Sequence, residues 1–275
     1  MRVVTLPAHN PGPYTGAGTN TYLLPGAVPT LIDAGSGDPR HLDEVTAALA
    51  GESDGAAPMA LAQVLVTHAH IDHAGGAAAL AGRFPAARFA KRPWPGHDVR
   101  YPVAWLPLAD NDTVPAGDTA LWVVHTPGHA PDHVCFFEPR SGTVFAGDLV
   151  VNGGTVVIPA SLDGSLADYL RSLRVLLDLQ PRRIYPGHGA PIDQPASLLR
   201  GYIAHRLARE RQIVEALADG PAPLASLVAR IYPGLDPALV GAASESTLAH
   251  LHKLRDEGRA VLEGAEEPTG AWRLT

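Results

Sequence analysis

The sequence predicts an α/β protein in which short apolar strands alternate with helices, followed by a helical tail of different rhythm. Three observations predict it. First, an apolar run (Leu61, Val64, Leu65, Val66) enters Thr67-His68-Ala69-His70-Ile71-Asp72-His73, and a small-residue helix opens at Ala74-Gly75-Gly76-Ala77. That is strand, turn, helix. Second, three later segments repeat the design of a strand followed by a turn bearing His or Asp: Val123 to His129, Val144 to Asp148 and Ile184 to His188. Third, the stretch from Pro223 to Thr275 reads helix, helix, helix, hairpin, the order of a winged helix.

A chain of 275 residues suffices for one large domain and one small one. The division expected is 1–205 for the catalytic part and 206–275 for a linker helix and the tail. At 46% hydrophobic residues the chain has material for a proper core. Net charge is −7, and the only lysines are Lys91 and Lys253. No basic run stands out, which argues against duplex DNA as a partner. The single cysteine, Cys135, excludes a disulfide framework and a thiolate zinc cluster; within Val134-Cys135-Phe136-Phe137 it reads as a small buried hydrophobe. Met1 to Leu6 meets polar and Pro/Gly residues too soon for a signal peptide, and no apolar run reaches a membrane span. The expected setting is the cytoplasm, away from membranes.

In chain order, Val3 to Leu6 reads as a strand leading into a Pro/Gly loop, His9 to Gly18, long enough to overhang a site. Strands follow at 19–24 and 30–33, then a helix from Asp43 to Ala50. After the His/Asp loop come a helix at 77–84 and a short strand at 88–91, with 93–107 irregular because it is rich in Pro and Trp. Strands resume at 120–125, 133–138 and 143–146. Ser165-Leu166-Ala167-Asp168 is a capping box opening a helix to Leu179. Arg183 to Tyr185 is a last short strand. A long helix from Ala196 to Ala218 carries Leu199, Ile203, Leu207, Val214 and Leu217 on one side. In the tail, helices at 224–231, 237–243 and 246–257 precede strands at 260–263 and 271–274 around a turn-rich Gly264 to Gly270.

A helix would set His68 and His70 about 200° apart, whereas an extended exit from the strand sets them on one side. Asp72 and His73 then point into the same cavity as the chain bends into the helix. Three imidazoles and a carboxylate within six residues suit zinc and similar borderline cations. Taken with His129, Asp148 and His188, five histidines and two aspartates can hold two metals. One site takes His68, His70 and His129, the other Asp72, His73 and His188, and Asp148 is the candidate bridge.

The motifs T-H-A-H-I-D-H, T-P-G-H, G-D and P-G-H-G, in that order, resemble the metallo-β-lactamase superfamily. The resemblance implies a four-layer αββα sandwich with a dimetal site at one edge of its two sheets. Asn10-Pro11-Gly12-Pro13, Gly18-Thr19-Asn20-Thr21-Tyr22, the helix Asp168 to Leu173 and His205-Arg206 to Gln212-Ile213 resemble the β-lactamase-like protein 2 group, which adds a C-terminal winged helix. Two departures matter. Asp148 stands where some lactamases have Cys, and the basic C-terminal helices that grip glutathione in glyoxalase II have no counterpart.

Two zinc ions, with iron or manganese as alternatives, imply a bridging hydroxide that attacks an electrophilic carbonyl or phosphorus. Asp72 and His133 are the candidate catalytic residues; His133 reads either as orienting substrate or moving a proton, or as the first residue of a strand. Asp33 is a candidate for fixing a histidine tautomer, or a turn-starting Asp. Asp132 is a polar neighbour of the site. Thr19, Asn20 and Tyr22 either face substrate or pack in the sheet, while His97 and His125 read as structural or surface residues. The expected activity is hydrolysis of a small ester, thioester or lactone. The alternative is a single-strand endoribonuclease of the β-lactamase-like protein 2 type. From Arg206 onward the chain has 8 basic against 10 acidic residues and only Tyr232 and Trp272 as aromatics, a poor surface for RNA. A small molecule is therefore the expected partner, with a homodimer possible through the tail, and a vestigial metal site with a purely partner-binding tail is the third reading.

Overall fold

Strand β1 (Val4–Pro7) pairs antiparallel with β2 (Asn20–Leu24), and β2 with β3 (Thr30–Ile32). Helix α1 (Pro39–Gly51) crosses over to β4 (Gln63–Val66), which lies parallel to β3. After α2 (Ile71–Ala74) and α3 (Ala77–Arg83) comes β5 (Arg88–Lys91), then α4 (Pro95–Asp98) and β6 (Trp105–Pro107), again parallel. These form a six-stranded sheet in the order β1-β2-β3-β4-β5-β6. A second sheet follows from β7 (Thr113–Ala116), β8 (Thr119–His125), β9 (Val134–Glu138) and β10 (Thr143–Gly147). Helix α5 (Leu166–Asp178) precedes its last strand, β11 (Arg183–Pro186), and the order is β11-β10-β9-β8-β7. The rest comprises α6 (Pro195–Ala218), β12 (Ala222–Pro223), α7 (Leu224–Ile231), α8 (Val240–Asp256), β13 (Ala260–Glu263) and β14 (Ala271–Leu274).

This computed structural model describes residues 1–52, 59–264 and 270–275. The chain divides into two units, Met1–Thr126 with Asp132–Gly154 and Asp178–Pro195, and Pro127–Pro131 with Thr155–Leu177 and Ala196–Thr275. The second unit thus takes the turn 127–131 and nearly all of α5 as well as the tail.

In the first unit the period-2 alternation of strand side chains builds two cores at once. Leu23, Leu31, Val64 and Val66 face Leu42, Val45 and Leu49 of α1 and Ala77 and Leu80 of α3. Their neighbours Tyr22, Leu24, Ile32 and Leu65 turn the other way, against Leu121, Val123, Val134, Phe136 and Phe145 of the second sheet. Helix, sheet and sheet are therefore stacked in this unit. In the second unit α6, α7 and α8 close with the antiparallel sheet β12-β14-β13 over Ile213, Leu227, Leu251, Leu254 and a fully buried Trp272.

Several elements differ from the sequence reading, each for a local reason. Helix α1 starts at Pro39, not Asp43, because Asp38 caps it by accepting the Arg40 amide at 2.9 Å and Pro39 suits the first turn. The stretch 93–107 is not wholly irregular: it holds α4 and β6. Strand β7 was masked by Pro115, which an edge strand tolerates. Helices expected at 237–243 and 246–257 are a 3-10 turn at Pro237–Leu239 running into one helix, α8. On α6, Ile203, Leu207 and Val214 are only half-buried; Arg206 and Glu210 take the buried stripe with Leu199, Tyr202, Ile213 and Leu217. The turn expected at 264–270 falls largely on 265–269, outside the described residues. Among the described residues no helix is long and apolar enough to cross a membrane.

Candidate metal centre

The carboxyl ends of the parallel strands β3 and β4 put Asp33 beside Thr67-His68, at the kind of edge where open α/β sheets bind ligands. Asp33 sits at φ 63° and is 2% exposed. Its Oδ1 accepts the Thr67 amide at 2.7 Å, and its Oδ2 accepts the Thr67 hydroxyl at 3.0 Å and His73 Nδ1–H at 2.7 Å. A carboxylate accepts here, so the proton sits on Nδ1 and Nε2 is the nitrogen left to face the cluster of His and Asp side chains. Of the two readings of Asp33, its geometry is that of a group orienting a histidine.

His70 is extended (φ −70°, ψ 151°), so His68 and His70 do fall on one side, with Nε2 of the first 3.0 Å from Nδ1 of the second. His68 Nδ1 pairs with the Thr67 hydroxyl at 3.0 Å. The bend into α2 then brings Asp72 and His73 to the same place. His73 Nε2, buried and without a hydrogen bond of normal geometry, lies 3.3 Å from Asp72 Oδ2 and 3.3 Å from Asp148 Oδ1. His188 Nε2 lies 3.4 Å and 3.3 Å from the same two oxygens. Hydrogen bonds of this type centre near 2.9 Å; these four contacts are longer, at 3.3–3.4 Å, and their atoms all face one another. Two groups able to hold one form within the first unit: His68, His73 and Asp148, and Asp72, His73 and His188.

The electrostatics agree. Burial disfavours charge on His73, yet Asp72, Asp148 and Asp33 raise its pKa well above the ordinary histidine range. Burial likewise opposes charge on His188, but Asp148 and Asp72 carry it to about 9. Desolvation pushes the Asp148 carboxyl up, and His73 and His188 together hold it well below the usual carboxylate range. The pocket calls for positive charge, which a divalent cation satisfies.

Close backbone approach makes two glycines obligatory. Gly147 adopts φ 44°, and a Cβ there would stand 2.7 Å from Thr67 Oγ1 and 2.8 Å from His133 Nε2. A Cβ on Gly187 would meet Asp148 Oδ1 at 2.5 Å and His73 Cε1 at 2.7 Å. Gly187→Ala is therefore expected to displace both ligands and weaken metal binding at least about tenfold, at a stability cost of about 1–3 kcal/mol. A chelator titration beside a urea melt measures both, and wild-type metal affinity would contradict this geometry.

Residues around these side chains bear on the open readings. Thr19 donates its hydroxyl to Asp72 Oδ2 at 2.9 Å and receives Asn10 Nδ2 at 2.9 Å. Asn20 bonds the carbonyls of Pro186 (3.2 Å) and Gly189 (2.8 Å), and the Tyr22 hydroxyl donates to Pro186 at 2.6 Å. These three residues brace Asp72 and the turn that carries His188. Cys135 is fully buried, with its thiol pushed up to about 12. His97 stacks on Trp94 at 3.4 Å, and the amide of His125 is capped by Asp110.

His133, the candidate for substrate orientation or proton transfer, lies beside the His68 ring, with centroids 5.2 Å apart. It is 0% exposed, its Nε2 accepts the Asp148 amide at 3.1 Å, and its Nδ1 meets the Thr126 hydroxyl at 2.9 Å. These contacts join it to the backbone of Asp148 and to Thr126. His129 belongs to the second unit, where its Nδ1–H donates to the Val157 carbonyl at 2.8 Å, so that its Nε2 carries the lone pair. Sequence reasoning named Asp132 but missed its partners, the buried Lys91 and the half-buried Asp98. Lys91 Nζ, with a fully buried side chain, lies 2.5 Å from Asp98 Oδ1 and 3.1 Å from Asp132 Oδ2. Burial raises the Asp132 carboxyl to about 6 against the pull of Lys91. The available signal was one of only two lysines closing a short strand behind Phe89 and Ala90.

Residues 14–188 match the Metallo-beta-lactamase superfamily. The chain belongs to it. Residues 224–272 match the Beta-lactamase associated winged helix domain, so the fold is the α/β metallo-β-lactamase fold with a C-terminal winged helix. The chain is 33% identical to the Beta-lactamase-like protein 2 homolog of Drosophila melanogaster, over 96% of this chain and 92% of that one. It is 34% identical to the Atrochrysone carboxyl ACP thioesterase of Aspergillus fumigatus, over 84% and 73%. A metallo-beta-lactamase family protein from Thermus thermophilus superposes with TM-score 0.80 at 26% identity, covering 99% of this chain and 98% of that one. TTHA1623, solved in a di-iron-bound form, superposes with TM-score 0.54 at 29% identity over 72% and 96%. This superfamily member is thus a hydrolase whose His and Asp side chains are grouped to bind metal.

Proposed function

We propose that this hydrolase uses two metal ions, most readily zinc with iron or manganese as alternatives, to cleave a small-molecule thioester, and more broadly esters or lactones. One observation supports the two-ion reading: Asp148 is grouped with His68 and His73, and its Oδ1 also lies 3.3 Å from His188 Nε2 of the neighbouring group Asp72, His73 and His188. His68, His70 and His129 would hold one ion and Asp72, His73 and His188 the other, with Asp148 available to both. When bound, such a pair supplies Lewis-acid activation of water and of the carbonyl oxygen.

The chain's own residues do the rest. Asp33 fixes His73 with Nε2 inward, and His133 holds the Asp148 amide so that its carboxylate faces two imidazoles. Asp72, held by the Thr19 hydroxyl, is the carboxylate placed to take a proton from the attacking water. Thioesters are favoured over other carbonyl substrates because two relatives at 34% and 36% identity are named thioesterases. The acidic winged-helix domain supports a small substrate over RNA.

One metal-loaded preparation assayed on acyl-N-acetylcysteamine thioesters, p-nitrophenyl esters, lactones and unstructured RNA tests this. Thioester cleavage that vanishes in an Asp72→Ala/His73→Ala double variant is expected. RNA cleavage that vanishes in that variant and weakens with salt, beside inert thioesters, would establish the endoribonuclease instead.

A further inference from the structure

We infer that Arg206 is a positioning residue for the metal centre: from helix α6 it clamps the 155–157 segment whose next carbonyl sets the tautomer of His129. This inference rests on the reading of His129 as a metal ligand given above. Arg206 is 3% exposed, in the middle of a helix face that sequence alone assigned to leucine and isoleucine. Its Nη2 donates to the Val156 carbonyl and, at 3.2 Å, to Thr155 Oγ1, while its guanidinium lies over the Tyr169 ring at 5.2 Å. Desolvating a guanidinium costs several kcal/mol, so these partners are not interchangeable with water.

Residues 155–158 alternate exposed, buried, half-buried, buried, as an extended chain does. Successive carbonyls of such a chain point to opposite sides. Val156 O accepts from Arg206, and the next carbonyl, that of Val157, accepts His129 Nδ1–H at 2.8 Å. A carbonyl has no proton to give, so this contact commits the neutral His129 ring to the tautomer protonated on Nδ1. The same elements pin the other side of the turn. The Ser165 amide donates to Gly128 O at 2.8 Å, and the Ser172 hydroxyl to Pro127 O at 2.7 Å, both from the helix that carries Tyr169. Lysine reaches one carbonyl but neither forks nor stacks, so it replaces only part of this clamp.

The test compares wild type, Arg206→Met, Arg206→Lys and His129→Ala by Co2+ absorption with a competing chelator, and by long-range proton–nitrogen spectra of the His129 ring in metal-free protein. Arg206→Met is expected to weaken one of the two Co2+ sites about 10–100-fold and to turn the His129 signal into a tautomer mixture, with Arg206→Lys in between. Wild-type affinity together with an unchanged Nδ1–H signal in Arg206→Met would overturn the inference, and if that variant does not fold, the same result in Arg206→Lys does so. A His129→Ala protein that binds two Co2+ as tightly as wild type would instead defeat the ligand assignment, while the tautomer spectra still decide the coupling between Arg206 and His129.

Discussion

Replacing Asp148 by Asn is expected to lower kcat/KM by at least about a thousandfold and to remove one or more metal ions per chain. The variant keeps the volume and the backbone bond to His133 but deletes the negative charge between His73 and His188, each 3.3 Å from Oδ1. A site that contributes several kcal/mol of charge stabilisation loses about tenfold for each 1.4 kcal/mol, so forfeiting about 4 kcal/mol gives this magnitude. The metal-free protein reports on the same charge. With Asp148 neutral, burial of His188 is opposed by one carboxylate fewer, so its pKa must fall from about 9. Metal analysis, steady-state kinetics and a histidine titration check the three effects, and a variant that retains two metals and its activity would refute the role given to Asp148.

Lys91→Met is expected to destabilise the first unit by about 3–5 kcal/mol, because it leaves Asp132 and Asp98 facing a vanished cation in a dry site. Asp132 has a fully buried side chain, so part of the cost will appear as protonation of its carboxyl, already near 6 in the native protein. The sign follows from that value. A carboxyl with a folded pKa above its unfolded one favours the fold in acid, so this contribution is lost as pH rises from about 4 through 6. Deleting Lys91 raises the folded pKa further and extends the loss towards neutral pH. Lys91→Met/Asp132→Leu should recover most of the stability, since a buried pair replaced whole by apolar groups is close to neutral. Hydrogen exchange of the β4 and β5 amides measures the local free energy in a chain of two units, where a single melting temperature is poorly defined. Equal protection in Lys91→Met and wild type would show that the trio is not structurally important.

What the sequence determined by itself was the chemistry of the ligands and the order of the elements that carry them. H-x-H-x-D-H after an apolar strand forces these His and Asp side chains together through local geometry, an extended exit followed by a helical bend, and such geometry is written within six residues. The capping box at Ser165 and the helix after it are equally local, with the Asp168 amide reaching Ser165 Oγ at 3.3 Å. Other features depended on partners distant in the chain. Nothing around Asp33 says that it accepts from Thr67 and His73, 34 and 40 residues on, and nothing around His133 says that its ring faces the Asp148 amide. Asn20 and Tyr22 looked as much like substrate contacts as packing until the fold laid Pro186 and Gly189 against them. Periodicity placed Ile203 and Leu207 in the core of α6, but the fold buried Arg206 and Glu210, since Val156 and Tyr169 stood ready to take the guanidinium and Lys253 to pair with Glu210 at 2.7 Å. Sequence patterns record the average preference of a side chain for water. Only the tertiary structure supplies the particular hydrogen bonds that make a buried charge or a fixed tautomer stable.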